Sequence, residues 1–369
     1  MVLWWLQVVL PLMIGAALLA WCGTQLLLRL YEQFPSFSLA GLKMSILESY
    51  TDVNKLKSRL AELANTGASA KDLDKKALEK AINNRIFGQS HIIREIVDNI
   101  YNESLREKRD GPVGKYMIAG PSGTGKSMLA KVLGEEHFGK NGYVVFDMAT
   151  ANSVSNANSV FGSPMGYQGG HQSSPSVAHL INYPASVVLV DEFEKTERQV
   201  QHRFLESLQD GLLTNVVTGN KVDVSNAIFV FTTNAMQEQC AKAGANQQAS
   251  LEDISAECKR ILASTFDSAI MSRIDMVFAF QPLNDVALCE LVASKIIRLI
   301  ESYPMQLEAV DFEVLAQWVQ RYRLKSVDGR DIATDVKRTI SQRLNELKRQ
   351  GVQRVKIIDK KNQIAIEKA

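Results

Sequence analysis

The sequence is poor in the residues that staple secreted folds or bind zinc. Its 369 residues include four cysteines, Cys22, Cys240, Cys258 and Cys289, and no pair has C-x-x-C spacing. The five histidines are dispersed. Neither a disulfide framework nor a zinc site is expected, and reduced thiols in a cytosolic compartment are. An excess of either charge is also missing: 42 Lys and Arg stand against 40 Asp and Glu, for a formal charge of +2. No basic stripe is implied, which argues against nucleic acid as the main partner. Apolar residues are not scarce. At 46% of the chain they allow a sizeable core and speak against wholesale disorder, and the length suits two or three domains.

Charge is absent altogether from Met1 to Leu28. This run includes Leu3–Leu6, Val8–Leu10, Leu18–Trp21 and Leu26–Leu28, and it exceeds the ~20 apolar residues that a helix needs to cross a bilayer. Trp4, Trp5 and Trp21 are placed as interfacial anchors, and Arg29 marks the exit. A cleaved secretory signal would need a basic n-region and a shorter apolar run, and a buried core helix would not be apolar all round at the extreme N-terminus. Arg29 and Lys43 follow the span and nothing basic precedes it, so the positive-inside rule keeps the bulk of the chain cytoplasmic. Residues 1–29 are therefore expected to be a single-pass anchor in the inner cell membrane, in contact with lipid through residues 2–28. Residues 30–80 read as a helical connector with an apolar stripe at Ile46, Tyr50, Val53, Leu56, Leu60 and Leu63.

The stretch that organises the rest is Gly120-Pro121-Ser122-Gly123-Thr124-Gly125-Lys126-Ser127. It fits the phosphate-binding pattern G-x-x-x-x-G-K-[ST] at every fixed position. An apolar run, Tyr116–Ala119, leads in as a buried strand would, and Met128–Leu133 leads out with helical spacing. Glycines let successive N–H groups turn toward phosphate oxygens, and the helix N-terminus adds its positive dipole end. Lys126 is placed to reach the β- and γ-phosphates, and the Ser127 hydroxyl to coordinate Mg²⁺. The expected ligand is a nucleoside triphosphate with its magnesium.

Four further apolar runs, Tyr143–Phe146, Val187–Val190, Ala227–Thr232 and Met276–Phe280, alternate with helical patterns. They predict a buried parallel sheet with helices on both faces, an α/β class. Ligands of such sheets sit at the carboxyl ends of the strands. There Val187–Val190 runs into Asp191 and Glu192, placing one carboxylate for the metal and one to polarise an attacking water. Another strand ends at Asn234, whose amide could bind the γ-phosphate or that water. Asp285–Ile300, Asp311–Tyr322 and Asp331–Leu347 read as amphipathic helices, and Val352–Ile358 with Gln363–Ile366 as a closing β-hairpin.

Taken together, these motifs resemble a Clp-type AAA+ ATPase from about Arg85 to the C-terminus. Arg85-Ile86-Phe87-Gly88-Gln89 resembles the motif with which that family opens, and its apolar Ile86 and Phe87 are implied to contact adenine. Phe161–Gly169 resembles a substrate-gripping pore loop, with Tyr167 as its aromatic between Gly166 and Gln168. Phe266–Asp275 matches the segment carrying an arginine finger at Arg273, Gly329-Arg330 the second sensor, and Asn234 the first. The resemblance implies an ATP-hydrolysing α/β domain over 81–281 and a helical lid over 282–369. It also implies a homo-oligomeric ring, typically a hexamer, in which Arg273 acts on the neighbour's ATP, Arg330 reads nucleotide in cis, and Tyr167 moves protein substrates.

Gln168, Ser272 and Asp331 depart from the usual residues of their motifs. No aliphatic-Gly-Phe tripeptide lies between Asn234 and Arg273, so docking to the ClpP peptidase is not expected. Two other functions remain open at this stage. One is a torsin-like regulator of a membrane partner that acts without threading. The other is a nucleic-acid motor or loader of a transfer apparatus, although Met165–Gly170 contains no Lys or Arg.

Overall fold

The computed structural model describes residues 75–106, 109–153, 156–163, 173–246, 248–323, 329–360 and 363–369. All of them lie in the second of two compact units, Val53–Ala369. The expected anchor, most of the connector, and Gly166, Tyr167 and Gln168 fall outside the described residues. Among the described residues no helix is long and apolar enough to cross a membrane.

The chain enters through helices α1 (Lys75–Asn83) and α2 (Ser90–Ser104). It then forms β1 (Gly114–Ala119), α3 (Lys126–Phe138), β2 (Tyr143–Asp147), α4 (Asn158–Phe161), α5 (Pro175–Asn182) and β3 (Val187–Asp191). Short helices α6 (Arg198–Gln201) and α7 (Leu205–Asp210) lead to a hairpin, β4 (Leu212–Thr214) and β5 (Lys221–Asp223), that the periodicity did not predict. After β6 (Ile228–Thr233) come α8 (Gln237–Gly244), α9 (Leu251–Leu262), α10 (Ser268–Met271) and β7 (Met276–Ala279). The five apolar runs become one sheet in the order β2-β3-β6-β1-β7, with every neighbouring pair parallel.

Burial on both faces explains why these strands read as continuous apolar runs instead of alternating ones. In β1, Tyr116 and Ile118 join the layer under α1, α2 and α3, while Met117 and Ala119 join the opposite layer. That opposite layer is built on phenylalanine. Phe193 and Phe266 stack with ring centroids 5.4 Å apart, and Phe204 meets Phe146, Phe161 and Phe231 edge-on. Helix α1 starts at Lys75, inside the expected connector, and buries Leu78 and Ile82 in the core.

The C-terminal part holds α11 (Asp285–Glu301), α12 (Phe312–Arg323) and α13 (Gly329–Arg349), close to the predicted helices. Asn284 caps α11 by accepting from the Ala287 N–H. Strands β9 (Arg354–Lys360) and β10 (Gln363–Lys368) pair antiparallel as the hairpin pattern predicts. A further strand, β8 (Gln306–Val310), runs parallel to β9, so the closing hairpin belongs to a three-stranded sheet. Its register shift between Leu307 and Ala309 blurs the period-two pattern by which a strand is read.

Candidate functional site

Because the main sheet is all parallel, the loops after β1, β3 and β6 open on one edge. Ala119 lies beside Thr233, and Val190 beside Phe231. A cavity of about 500 Å³ occupies that edge, walled by Ser122–Ser127, Asp191, Glu192, Thr232 and Asn234 from the sheet side. The lid closes it with Leu291, Lys295, Gly329 and Arg330.

The phosphate-binding loop folds tightly because two of its glycines are indispensable. A Cβ on Gly120 would stand 2.6 Å from the Phe280 carbonyl oxygen. Gly125, with φ +99°, is the left-handed cap of α3 and faces Ile86, whose Cγ2 would lie 3.5 Å from its Cβ. Lys126 is buried inside the loop. Its Nζ donates to the carbonyl oxygens of Gly120 at 2.7 Å and Pro121 at 2.9 Å, and to Asn234 Oδ1 at 2.7 Å. Asn234 is thereby brought to the loop lysine across 108 residues of chain.

Ser127 Oγ donates to Asp191, at 2.9 Å from Oδ1 and 3.1 Å from Oδ2. A hydroxyl and a carboxylate held together beside a phosphate loop form the hard-oxygen donor set that magnesium prefers. The residues therefore fit a magnesium-bound nucleoside triphosphate, whose metal Ser127 and Asp191 would hold. Thr232, which the motifs did not point to, ties this arrangement together. Its hydroxyl donates to Asp191 Oδ1 and accepts from the Glu192 N–H at 3.1 Å.

Glu192 has a left-handed backbone, with φ 55° and ψ 46°, which turns its side chain away from the strand direction. Lys195 Nζ donates to its Oε2 at 2.7 Å, and this hydrogen bond holds the lysine above its ordinary pKa. Two residues on, Glu194 Oε1 accepts from the Asn234 N–H at 3.2 Å, so one turn orders both Glu192 and Asn234. Tyr143 lines the same cavity, and burial together with the charges of Asp191 and Glu135 pushes its phenol well up.

The far end of the cavity is apolar, formed by Ile86, Phe87, Leu283 and Leu291. Arg85 is held there by Glu135 at 2.9 Å. The buried Gln89 side chain donates to the Gln281 carbonyl at 2.8 Å and accepts from its N–H at 3.3 Å. This amide clamp fixes the Arg85–Gln89 segment to the residue where the chain leaves the sheet for the lid.

Arg273 is not part of this cavity. It sits at the amino end of β7, on the opposite edge of the sheet, where Nη1 donates to Ala269 O at 2.7 Å. Its Nε and Nη2 donate to Gln209 Oε1 at 3.2 and 2.6 Å. The adjacent Asp275 accepts from the Lys115 N–H at 2.9 Å and pairs with Lys115 Nζ at 3.2 Å; burial, opposed by this lysine, raises its pKa. Lys259 Nζ donates to the carbonyls of Ile274 at 2.6 Å and Asp275 at 3.1 Å. The structure thus gathers Ile86, Phe87, the loop, Asp191, Glu192, Asn234 and Arg330 at one site and keeps Arg273 apart.

Comparison with known proteins agrees with this geometry. Residues 111–277 match the family described as AAA domain (Cdc48 subfamily). The chain is 31% identical over 235 residues to the chaperone protein ClpB of Chlamydia caviae, which covers 61% of this chain and 26% of that one. It is 29% identical to the ATP-dependent Clp protease ATP-binding subunit ClpE of Bacillus subtilis, over 59% of this chain and 31% of the relative. It is 26% identical to ClpC, the corresponding subunit of Staphylococcus saprophyticus, over 73% and 34%. The chain spans about a quarter to a third of the length of these curated relatives. With a phosphate loop, the acids Asp191 and Glu192 and the amide of Asn234 converging on one cleft, residues 111–277 match an AAA domain, and the chain is similar there to the ATP-binding parts of Clp proteins.

Proposed function

We propose that this chain is a membrane-anchored, ring-forming AAA+ ATPase that couples ATP hydrolysis to the unfolding or remodelling of protein substrates. The observation that carries the ring is the position of Arg273. Four residues of β7, at about 3.3 Å each, separate it from the cleft edge of its own sheet by roughly 13 Å. A finger arginine held there serves a neighbour's cleft and not its own.

When bound, Mg·ATP supplies the labile γ-phosphoryl group whose transfer to water releases the energy. The protein's part is position and charge. Lys126 and Arg330 bring positive charge to the phosphates, and Ser127 and Asp191 would hold the metal. Glu192 would orient and polarise the water once Lys195 yields, and Asn234 would fix the water or the γ-phosphate. Arg330 stands on the lid, so loss of the γ-phosphate changes what holds the lid to the sheet. Tyr167, between Gly166 and Gln168, is the gripping aromatic of this reading.

The names of the relatives, a chaperone and subunits of a protease, support a protein substrate. The missing aliphatic-Gly-Phe tripeptide between Asn234 and Arg273 argues for action without a docked ClpP-type peptidase. The uncharged run at residues 2–28 supports anchoring in the inner membrane, with the ATPase domain on the cytoplasmic side.

The test is complementation between dead subunits. Lys126→Ala and Arg273→Ala proteins should each be inactive alone, and mixing them should restore part of the ATPase rate. In mixed rings an intact Arg273 then meets an intact cleft. Mixtures as inactive as their components would refute a finger acting between subunits.

A further inference from the structure

Thr232 lies near the end of β6, 1% exposed, where no motif marks it. Side chains on one face of a strand recur every second residue. Val230 and Leu189 both belong to the layer under α3, so Thr232 and Asp191, the next residues on those faces of β6 and β3, turn toward that helix as well. Ser127, in the first turn of α3, meets them there. A helix and two strands thus bring their hydroxyls and carboxylate together beside the phosphate loop.

The hydrogen bonds among them are shared unequally. A hydroxyl has one proton to give and two lone pairs with which to accept. Thr232 gives its proton to Asp191 Oδ1, and its oxygen accepts from the Glu192 N–H at 3.1 Å. Ser127 divides its proton between Oδ1 at 2.9 Å and Oδ2 at 3.1 Å. Oδ1 therefore has a donor of its own, and Oδ2 has only a share of the Ser127 proton.

The other side of the same hydroxyl serves the second acid. Strand β3 ends at Asp191, so the Glu192 N–H falls beyond the ladder, and the Thr232 side chain supplies the acceptor. This N–H belongs to the residue whose left-handed backbone turns the Glu192 carboxylate away from the strand.

We propose that Thr232 is a positioning residue that sets both acids with one hydroxyl. The proton it gives pins Asp191 Oδ1 and leaves Oδ2 for the metal, and the lone pair it offers fixes the turn that aims Glu192. If Ser127 turns its own hydroxyl to the metal, Thr232 still holds the carboxylate in place. The inference rests on the proposed function, in which Asp191 holds the metal and Glu192 polarises the water.

The test uses the full-length protein and two substitutions of opposite kind. Thr232→Val keeps the branched shape and removes the hydroxyl, whereas Thr232→Ser keeps the hydroxyl and removes a buried methyl. Metal binding is read with Mn²⁺ by electron paramagnetic resonance, in a Glu192→Gln background so that the added ATP is not consumed. Thr232→Val should weaken Mn²⁺ binding about tenfold, and Thr232→Ser should stay within about twofold of its parent. Affinity for a fluorescent ATP analogue in EDTA should be the same in all three. With Glu192 restored, Thr232→Val should lower kcat about tenfold even at saturating Mg²⁺, and Thr232→Ser should recover it.

A Thr232 that served packing alone would rank the variants the other way, with valine near wild type and serine impaired, because the core would then miss only the methyl. That order would overturn the inference. So would a Thr232→Val protein with unchanged Mn²⁺ affinity, or one whose kcat returns to the wild-type value at saturating Mg²⁺, since either breaks one of the two links. Should Thr232→Val fail to fold, Thr232→Ser decides alone, and its impairment would count against the hydroxyl. If Asp191→Asn binds Mn²⁺ as tightly as its parent, the reading of the metal site falls instead, whatever Thr232 does.

Discussion

Glu192 occupies a left-handed backbone conformation, one that costs a non-glycine residue of order 1 kcal/mol and recurs where a side chain must be aimed. The strain is matched by the Thr232 hydroxyl on its N–H and by Lys195 on its carboxylate. Glu192→Gln keeps the shape and the phosphate loop but removes the carboxylate that the proposed function makes the base. It should bind a fluorescent ATP analogue as tightly as the wild type and release phosphate at least ~10²-fold more slowly, the usual scale for losing a general base. A variant that still turns over would move the acid's role elsewhere. At this scale the sequence was informative wherever a residue belongs to a contiguous motif. Gly120 to Ser127, Asp191, Glu192 and Asn234 all meet at the cleft. Thr232, Lys195 and Glu194 carry no motif, because their roles depend on which oxygen or N–H the fold places beside them. Arg273 was singled out only through family likeness, as a finger acting on a neighbour's ATP, and nothing in its spacing says at which edge of the sheet it lies.

Among the elements, the lid offers the clearest physical test. Asp335 on α13 accepts from Arg321 Nη1 and Tyr322 Oη on α12, both at 2.6 Å, and from Arg338 Nη2 at 2.7 Å. Burial works to raise this carboxyl, but the three donors outweigh it and its pKa ends below the ordinary carboxylate value. A depressed carboxyl stabilises the fold above its unfolded pKa of about 3.9, and that contribution is lost as pH falls through the lower folded value. The lid should therefore lose stability selectively below about pH 4, and Asp335→Asn should flatten this dependence while costing about 2 kcal/mol at neutral pH. Trp318, fully buried in α12, reports on the lid once Trp4, Trp5 and Trp21 are replaced by Phe. An unchanged pH profile in Asp335→Asn would show that the cluster adds no net stability. Helices and central strands were legible because their periodicity runs over many residues. β4 and β5, of three residues each, are too short to show a period, and β8 is interrupted by its bulge.

For the whole molecule, the proposed reading requires assembly to depend on nucleotide. Light scattering of the full chain in detergent, with ATP and the Glu192→Gln substitution, should give a discrete closed oligomer. Arg273→Ala should reach the same size and yet fail to hydrolyse ATP. A chain that stays monomeric with ATP bound would point to a regulator needing a separate partner. The parallel sheet fixes the character of any such assembly. It puts the cleft on one edge and Arg273 on the other, so on this reading the protomer is a bifunctional monomer with unlike ends, as in step-growth polymerisation. Unlike ends join head to tail, and a chain of such joints must either close into a cycle or keep growing. Dilution favours the cycle, because closure is a reaction of the chain with itself and growth is not. Confinement to a plane would favour it further, by holding every monomer with the same side up, so that the last head always faces the first tail.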